Sequence, residues 1–269
     1  MHRPNQTLRT AALLALCTAS SCVFDSDRRP LLDAELGAAS AYIFRGQTFT
    51  ERPVARAATV AQLPVKGGGS LALGALGILE LSDSIGDAWA AEGAGGEFTQ
   101  TDLWFGYTTR WAGFEGTLGA RHYSWPRGAA FRFAPFPSTS EAFARIGRTA
   151  LGLDVGLTLH YDFDAVGSLY SDLEAVKAWP LGDRFDLEVR AFAAWSDAEH
   201  GRWLYRRRTA GLADAGAEVA LRAALDDVTS ARLSVTGSSI LDATYRDWFD
   251  DNGVAPDVVF ATLGFDWAF

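Results

Sequence analysis

From Leu151 to Phe163 the chain alternates without a break. Leu151, Leu153, Val155, Leu157, Leu159, Tyr161 and Phe163 fall on one side, and Gly152, Asp154, Gly156, Thr158, His160 and Asp162 on the other. A helix repeats every 3.6 residues, so a period of two held over this length specifies a strand with one oily and one polar face. The pattern returns in Phe185, Leu187, Val189, Ala191, Ala193 and Trp195, whose neighbours are Arg184, Asp186, Glu188 and Arg190. It returns again around Leu103, Phe105, Tyr107 and Trp111, and from Val259 to Phe269. Weaker versions cover 32–45, 53–64, 70–82, 114–123, 140–148, 168–179, 208–226 and 229–240, giving about twelve strands, with 10 to 14 the range. The alanine-rich stretch 208–226 also fits a helix. Gly211 and Gly216, with Asp214, Glu218, Arg222 and Asp226 on one phase, favour a strand.

The connections alternate in length. Short ones fall at 65–69, 112–113, near Thr149, at 180–183 and near Asp227, and long ones at 83–96, 124–139, 196–206 and 241–256. That is the arrangement of an outer-membrane barrel, which joins its strands by short turns at one end and longer loops at the other. Aromatics on the oily phase gather at the strand ends: Trp111, Phe114, Trp179, Phe185, Trp267 and Phe269 at the turn side, and Tyr161, Phe163 and Trp195 at the loop side. These are positions of interfacial girdles. Lys177 falls on the oily phase, near enough to a turn to reach the headgroups. The expected fold is an all-β, transmembrane, antiparallel up-and-down barrel over 32–269. Phe265, Trp267 and Phe269 are its C-terminal insertion signal, read by the outer-membrane barrel assembly machinery.

Arg3 and Arg9, the apolar run Ala11–Leu16 and the small residues up to Ser21 read as a signal peptide over 1–21, followed by a short periplasmic segment over 22–31. Without the leader, 22 basic residues face 33 acidic ones, a formal charge of −11. A chain this acidic offers no basic face to nucleic acid. Both cysteines, Cys17 and Cys22, sit at this end, which excludes a disulfide from the barrel. Cys22, preceded by Ala19, Ser20 and Ser21, is the candidate lipid anchor.

Ala41, Tyr42, Ile43, Phe44, Arg45, Gly46, Gln47 and Thr48, followed by Arg52, Pro53 and Val54, resemble the opening strand and first loop of the TorF-type porins. Tyr161, Asp162, Phe163, Asp164, Gly167 and Tyr170, with Trp179, Pro180, Leu181, Gly182 and Asp183, resemble that family's central hairpin. The resemblance runs in order through most of the chain and implies an outer-membrane barrel that forms a pore. It carries over no catalytic residue. The segment 124–140 and the last loop depart from the family's pattern.

On the inward phase lie Arg45, Arg56, Asp102, Arg110, Glu115, Arg121, Asp154, His160, Asp162, Arg184, Asp186, Glu188, Arg190, Asp214, Glu218 and Arg222 as candidate pore-lining residues. Glu35, Glu80, Glu141, Arg145, Asp172, Glu174, Asp226, Arg232 and Asp266 share that phase, which makes fifteen acids against nine arginines. In a water-filled lumen this excess focuses negative potential and favours cations slightly. The alternative is that facing strands pair these charges, as Asp172 and Glu174 with Arg184 and Arg190, or Glu188 and Arg190 with Glu218 and Arg222. Such ladders would plug the barrel, and twelve strands lie between the filled eight and the open sixteen.

A barrel enzyme acting on lipid would need a Ser/His pair at hydrogen-bond distance. Of His122, His160 and His200, only His160 falls firmly on the inward phase. Asp247, Asp250, Asp251, Asn252, Gly253 and Asp257 supply oxygens but lack calcium-loop spacing and its closing glutamate, so neither a metal nor another cofactor is expected. Arg202, Arg206, Arg207 and Arg208, with Trp203 and Tyr205, would suit lipid-headgroup phosphates or simply a solvated loop. The apolar segment 128–137 is expected to fold into the mouth and narrow it. The sequence therefore points to passive diffusion of small polar solutes through an outer-membrane barrel. A closed structural or adhesive barrel is the alternative, and a lipid-modifying enzyme the third reading. The partners expected are outer-membrane lipids, the assembly machinery and small solutes.

Overall fold

A computed structural model describes residues 30–82, 95–125 and 138–269. The signal peptide, Cys22, most of the loop 83–96 and the apolar segment 128–137 lie outside the described residues.

Twelve strands close into a single antiparallel barrel. They are β1 (Leu31–Ala39), β4 (Val54–Val65), β5 (Gly69–Glu80), β6 (Phe98–Trp111), β7 (Phe114–Ser124), β8 (Thr139–Ala150), β9 (Leu153–Asp162), β10 (Leu169–Pro180), β11 (Phe185–Ser196), β12 (Gly211–Ala224), β13 (Thr229–Ile240) and β14 (Asp257–Ala268). Each pairs with its neighbours in chain order, and β1 closes the ring against β14, with Leu36 opposite Phe265. The alanine-rich segment is strand β12, paired with β13 from Asp214 to Ala224 and with β11 across a register shift between Ala193 and Trp195.

The barrel is inside-out. Leu103, Phe105, Leu118, Leu157, Leu173, Val219, Leu233, Val235, Val259 and Leu263 are all exposed on the outer wall. A continuous apolar surface of this extent needs a nonpolar solvent around it. Among the described residues no helix is long and apolar enough to cross a membrane. At the turn end Trp111 and Phe114 lie at 6.5 Å and Phe265 and Trp267 at 6.4 Å, with Phe269 exposed beside them. Lys177 donates to the Leu151 carbonyl at 3.3 Å and lies 5.8 Å from the Trp179 ring, so it reaches the polar turn as expected.

Two of the short turns, Ala112–Gly113 and Leu151–Gly152, are two-residue loops with positive φ at both positions, the conformation that matches the twist of a hairpin. The second corrects the expected turn near Thr149, because β8 runs on to Ala150.

The loop end differs from expectation in two ways. The first strand stops at Ala39, not near residue 45, and the chain re-enters the barrel as a small hairpin, β2 (Tyr42–Phe44) and β3 (Gln47–Thr50), in a two-stranded sheet of its own. Two of the long loops also carry helices, α1 (Ala198–Tyr205) and α2 (Ala243–Asp251). The Asp197 carboxylate accepts from the His200 amide, and that of Asp242 from Thr244 and Tyr245, satisfying free N–H groups at each helix start. The helices bury His200, Trp203 and Leu204, and Tyr245, Trp248 and Phe249, over the barrel mouth.

If the outer wall faces lipid, Leu157→Arg in mid-β9 should cost about 2–4 kcal/mol of stability against urea in lipid vesicles. Unchanged stability would place that wall in water.

Candidate functional site

The lumen has two unlike halves. At the loop end, Phe49, Tyr123, Trp125, Tyr170, Trp203, Leu204, Tyr205, Ile240, Tyr245, Trp248 and Phe249 belong to a large hydrophobic cluster, built around the inward hairpin. Phe44 meets Phe49 at 5.4 Å, Tyr123 at 5.5 Å and Trp125 at 6.2 Å, each edge to face. Trp125 in turn meets Trp203 of α1 at 6.1 Å, and Tyr205 stacks on Tyr245 of α2 at 4.2 Å. Burial holds the His200 imidazole in this cap well below its ordinary range, hence neutral.

Arg45 and Gly46 make the hairpin tip, both with positive φ. Glycine is required at the second position on two counts. A Cβ there would lie 2.6 Å from that of Asp214 and 2.9 Å from the Ile240 side chain, and its φ is +76°. Arg45 projects across the lumen to Glu141 on β8, donating from Nη1 to Oε1 at 2.7 Å and from Nη2 to Oε2 at 2.6 Å. The two side chains are 7% and 2% exposed. The guanidinium lies 4.5 Å from the Tyr170 ring, and the Arg45 carbonyl accepts from the Tyr205 hydroxyl at 2.5 Å. Tyr42 adds a third tie, donating to Gln100 at 2.8 Å. The mouth is thus closed by the hairpin 42–50 and the two helices. Arg45, expected on a pore-lining strand, is the tip of a plug.

Below the plug the lumen is hollow and lined by charges. A cavity of about 420 Å³ under the hairpin and one of about 570 Å³ toward the turn end share Glu35, Arg56, Arg190, Glu218, Arg232 and Thr262, so they adjoin. Arg232 bridges Glu188 at 2.9 Å and Glu218 at 2.6 Å, tying β11, β12 and β13 together. Glu174 receives Arg145 at 2.6 Å and Arg190 at 3.0 Å. Arg56 pairs Glu35 at 3.2 Å, and Arg222 lies 3.7 Å from Asp266. Cross-strand pairing of Glu174 with Arg190 was among the expected ladders, whereas Glu188, expected to meet Arg222, and Glu218, expected to meet Arg190, both pair with Arg232.

The remaining expected lining residues divide by depth. Asp102 accepts from Gln100 at 2.9 Å, and buried Asp214 accepts from Tyr170 at 3.3 Å beside the hairpin tip. His160 lies 3.1 Å from Asp172 and 3.5 Å from Glu141. Asp162 does not line the lumen freely: it accepts from Thr139 at 2.6 Å and from the amides of Asp164, Ala165 and Val166, shaping the loop that follows β9. Asp226 likewise serves a turn, accepting from the amides of Val228 and Thr229. Arg110 and Glu115 pair at 2.8 Å on the exposed rim of the turn end, and Asp154 accepts from Thr149 there. Arg184 precedes β11, with Asp186 in the exposed first turn-end positions of that strand.

Outside the lumen, Glu199 pairs with Arg202 at 2.7 Å and with Arg208 at 2.6 Å, and Asp251 with Arg207 at 2.9 Å, so this arginine cluster is largely matched by carboxylates. Asp257 belongs to β14 and pairs with Arg246 at 2.7 Å, and among the described residues no cluster suits a metal. Two Ser/His contacts occur: His122 with Ser140 at 3.0 Å on the outer wall, and Ser168 with His200 at 3.4 Å in the buried cap. Neither pair lines the two lumen cavities.

The hairpin plug is the feature that sequence reading missed. Tyr42 and Phe44 continue the alternation of β1, which hid the break. The available signal was Arg45–Gly46 between two apolar-alternating segments, a two-residue hairpin turn with glycine at its second position.

No protein-family model matches the chain, and no curated protein does. Solved structures do. The KdgM porin superposes with a TM-score of 0.50 at 9% identity, covering 89% of this chain and 99% of its own. The NanC porin gives 0.51 at 7% identity, covering 88% and 98%. An outer membrane channel from Pseudomonas putida F1 gives 0.51 at 9% identity, covering 89% and 94%. The chain shares the closed barrel fold of outer-membrane porins; the TorF-type resemblance rests on its motifs alone.

Glu141→Gln leaves the buried Arg45 cation without its counter-charge, and breaking such a pair costs about 3–5 kcal/mol. The expected outcome is cleavage of the 41–52 segment by added protease while the barrel strands remain intact. A segment that stays resistant would show that the aromatic packing alone holds the hairpin.

Proposed function

We propose that this protein is an outer-membrane channel for small polar solutes, closed at its outer mouth in the state described. The observation that carries this reading is the nature of the obstruction. The aqueous lumen is blocked by a separable hairpin in its own sheet, joined to the barrel wall through side chains, and not by collapse of the wall itself. A gate needs such a part, with two positions and a rigid frame around it. In this reading the turn end, with both termini, faces the periplasm and the plugged end faces outside. Phe265, Trp267 and Phe269 then stand at the periplasmic interface, where they suit the expected insertion signal.

The lining supports a slight cation preference in the open state, because the inward acids outnumber the arginines and the arginines of the lower lumen are tied to carboxylates. The KdgM and NanC porins lend the reading their fold, and the solute is argued from this chain's own residues.

A closed structural barrel is the second reading, favoured by the bidentate buried pair at the plug and the ladders below it. Planar-bilayer recordings separate the two. Replacing 42–50 by a short Gly/Ser linker should turn a mostly silent protein into one with discrete conductance steps, and a salt gradient should give a reversal potential on the cation side. A folded barrel that stays silent without its hairpin would make the structural reading the correct one.

A further inference from the structure

Arg121 on β7 lies directly opposite Glu141 of β8 in the strand register, the position where a cross-strand ion pair is expected. The pair is absent because Arg45 already holds both Glu141 oxygens. Arg121 is left stacked 5.0 Å from the Trp104 ring and 5.8 Å from that of Tyr123, with its Nε buried and without a hydrogen-bond partner. It lines the 420 Å³ cavity beneath the hairpin, which adjoins the 570 Å³ cavity toward the turn end. On the opposite wall the Ser234 hydroxyl faces the same cavity, 1% exposed and also without a partner. A guanidinium with an unpartnered Nε and an unpartnered hydroxyl line one cavity, and both offer donors to an acceptor group with negative charge.

We propose that the cavity under the plug binds a small carboxylate-bearing solute, held by the Arg121 guanidinium and entering from the turn end. This rests on the plugged-channel reading and extends it to regulation. The site exists only while Arg45 occupies Glu141; when the hairpin withdraws, Glu141 is free to pair with Arg121. That exchange compensates the charge exposed by opening and removes the anion site in the same step. A bound carboxylate therefore favours the plugged state, since a ligand stabilises the conformation that binds it. The anion site belongs to the closed protein and the cation preference to the open one.

Isothermal titration of the refolded full chain in detergent micelles tests this without measuring current. The probes are sodium acetate and sodium D-gluconate, with D-glucose as the uncharged control. Both carboxylates should bind and glucose should not. Arg121→Gln should weaken binding at least tenfold, and Arg121→Lys, which keeps the charge without the fork, by a smaller factor. Arg45→Gln should weaken binding as much as Arg121→Gln although Arg45 is not the anion's partner, because Glu141 then turns to Arg121. Equal binding by the parent and Arg121→Gln, glucose binding as well as gluconate, or parental affinity in a folded Arg45→Gln protein would each overturn the proposal. A silent barrel showing the expected titrations would end the channel reading and leave the anion site. A conducting barrel with Arg121→Gln unchanged would do the reverse.

Discussion

Because every strand turns its apolar side outward, the charges on the inward phase must find partners or water inside one narrow tube. Nearly all of the inward organisation follows from that constraint. A charge facing a low-dielectric wall is costly unless it is paired, hydrogen-bonded or hydrated. The turn-end half of the lumen uses pairing beside open space: Arg232 bridges Glu188 and Glu218, Glu174 takes Arg145 and Arg190, and a cavity remains beside them. These ladders cross strands and so also fix the register of the barrel.

The loop-end half meets the constraint differently. It fills its volume with rings, which would leave the inward carboxylates Glu141, Asp214 and Asp102 stranded in an apolar plug. The hairpin supplies what the rings cannot. Its tip carries one guanidinium to Glu141, Tyr42 reaches the Gln100–Asp102 pair, and the backbone turn at Gly46 packs on Asp214. Paired in this way, Glu141 is worth keeping in the interior only together with Arg45. The same exclusive pairing leaves Arg121 without its cross-strand partner, so closure and the unsatisfied cation beneath it have one cause.

Much of the barrel was legible in the sequence because alternation is a property of each strand taken alone. The number of strands, the inward placement of residues such as Asp102 and Glu218, and the nature of the alanine-rich β12 all follow from period-two patterning and the spacing of turns. What was not legible depended on relations between segments. Tyr42 and Phe44 keep the phase of β1, so only the Arg45–Gly46 turn marked the hairpin. The helices in the last two long loops had a local signature, Asp197 and Asp242 as caps followed by His200, Trp203 and Leu204 or Tyr245, Trp248 and Phe249 at helical spacing, but in loops between strands it is easily read as irregular chain. Which acid meets which arginine required the register: Glu188 and Glu218 converge on Arg232, a residue on a third strand.

The most direct measurement of the central claim, that the hairpin is seated inside the lumen, is amide hydrogen exchange of the intact protein in lipid bilayers, read over residues 42–50. A seated plug exchanges slowly, since Gln47, Thr48, Phe49 and Thr50 are all buried, and exchanges at rates closer to those of the barrel strands than to those of a surface loop. Exchange at the rate of a free peptide across this segment would mean that the hairpin stands outside the barrel and that the lumen is open.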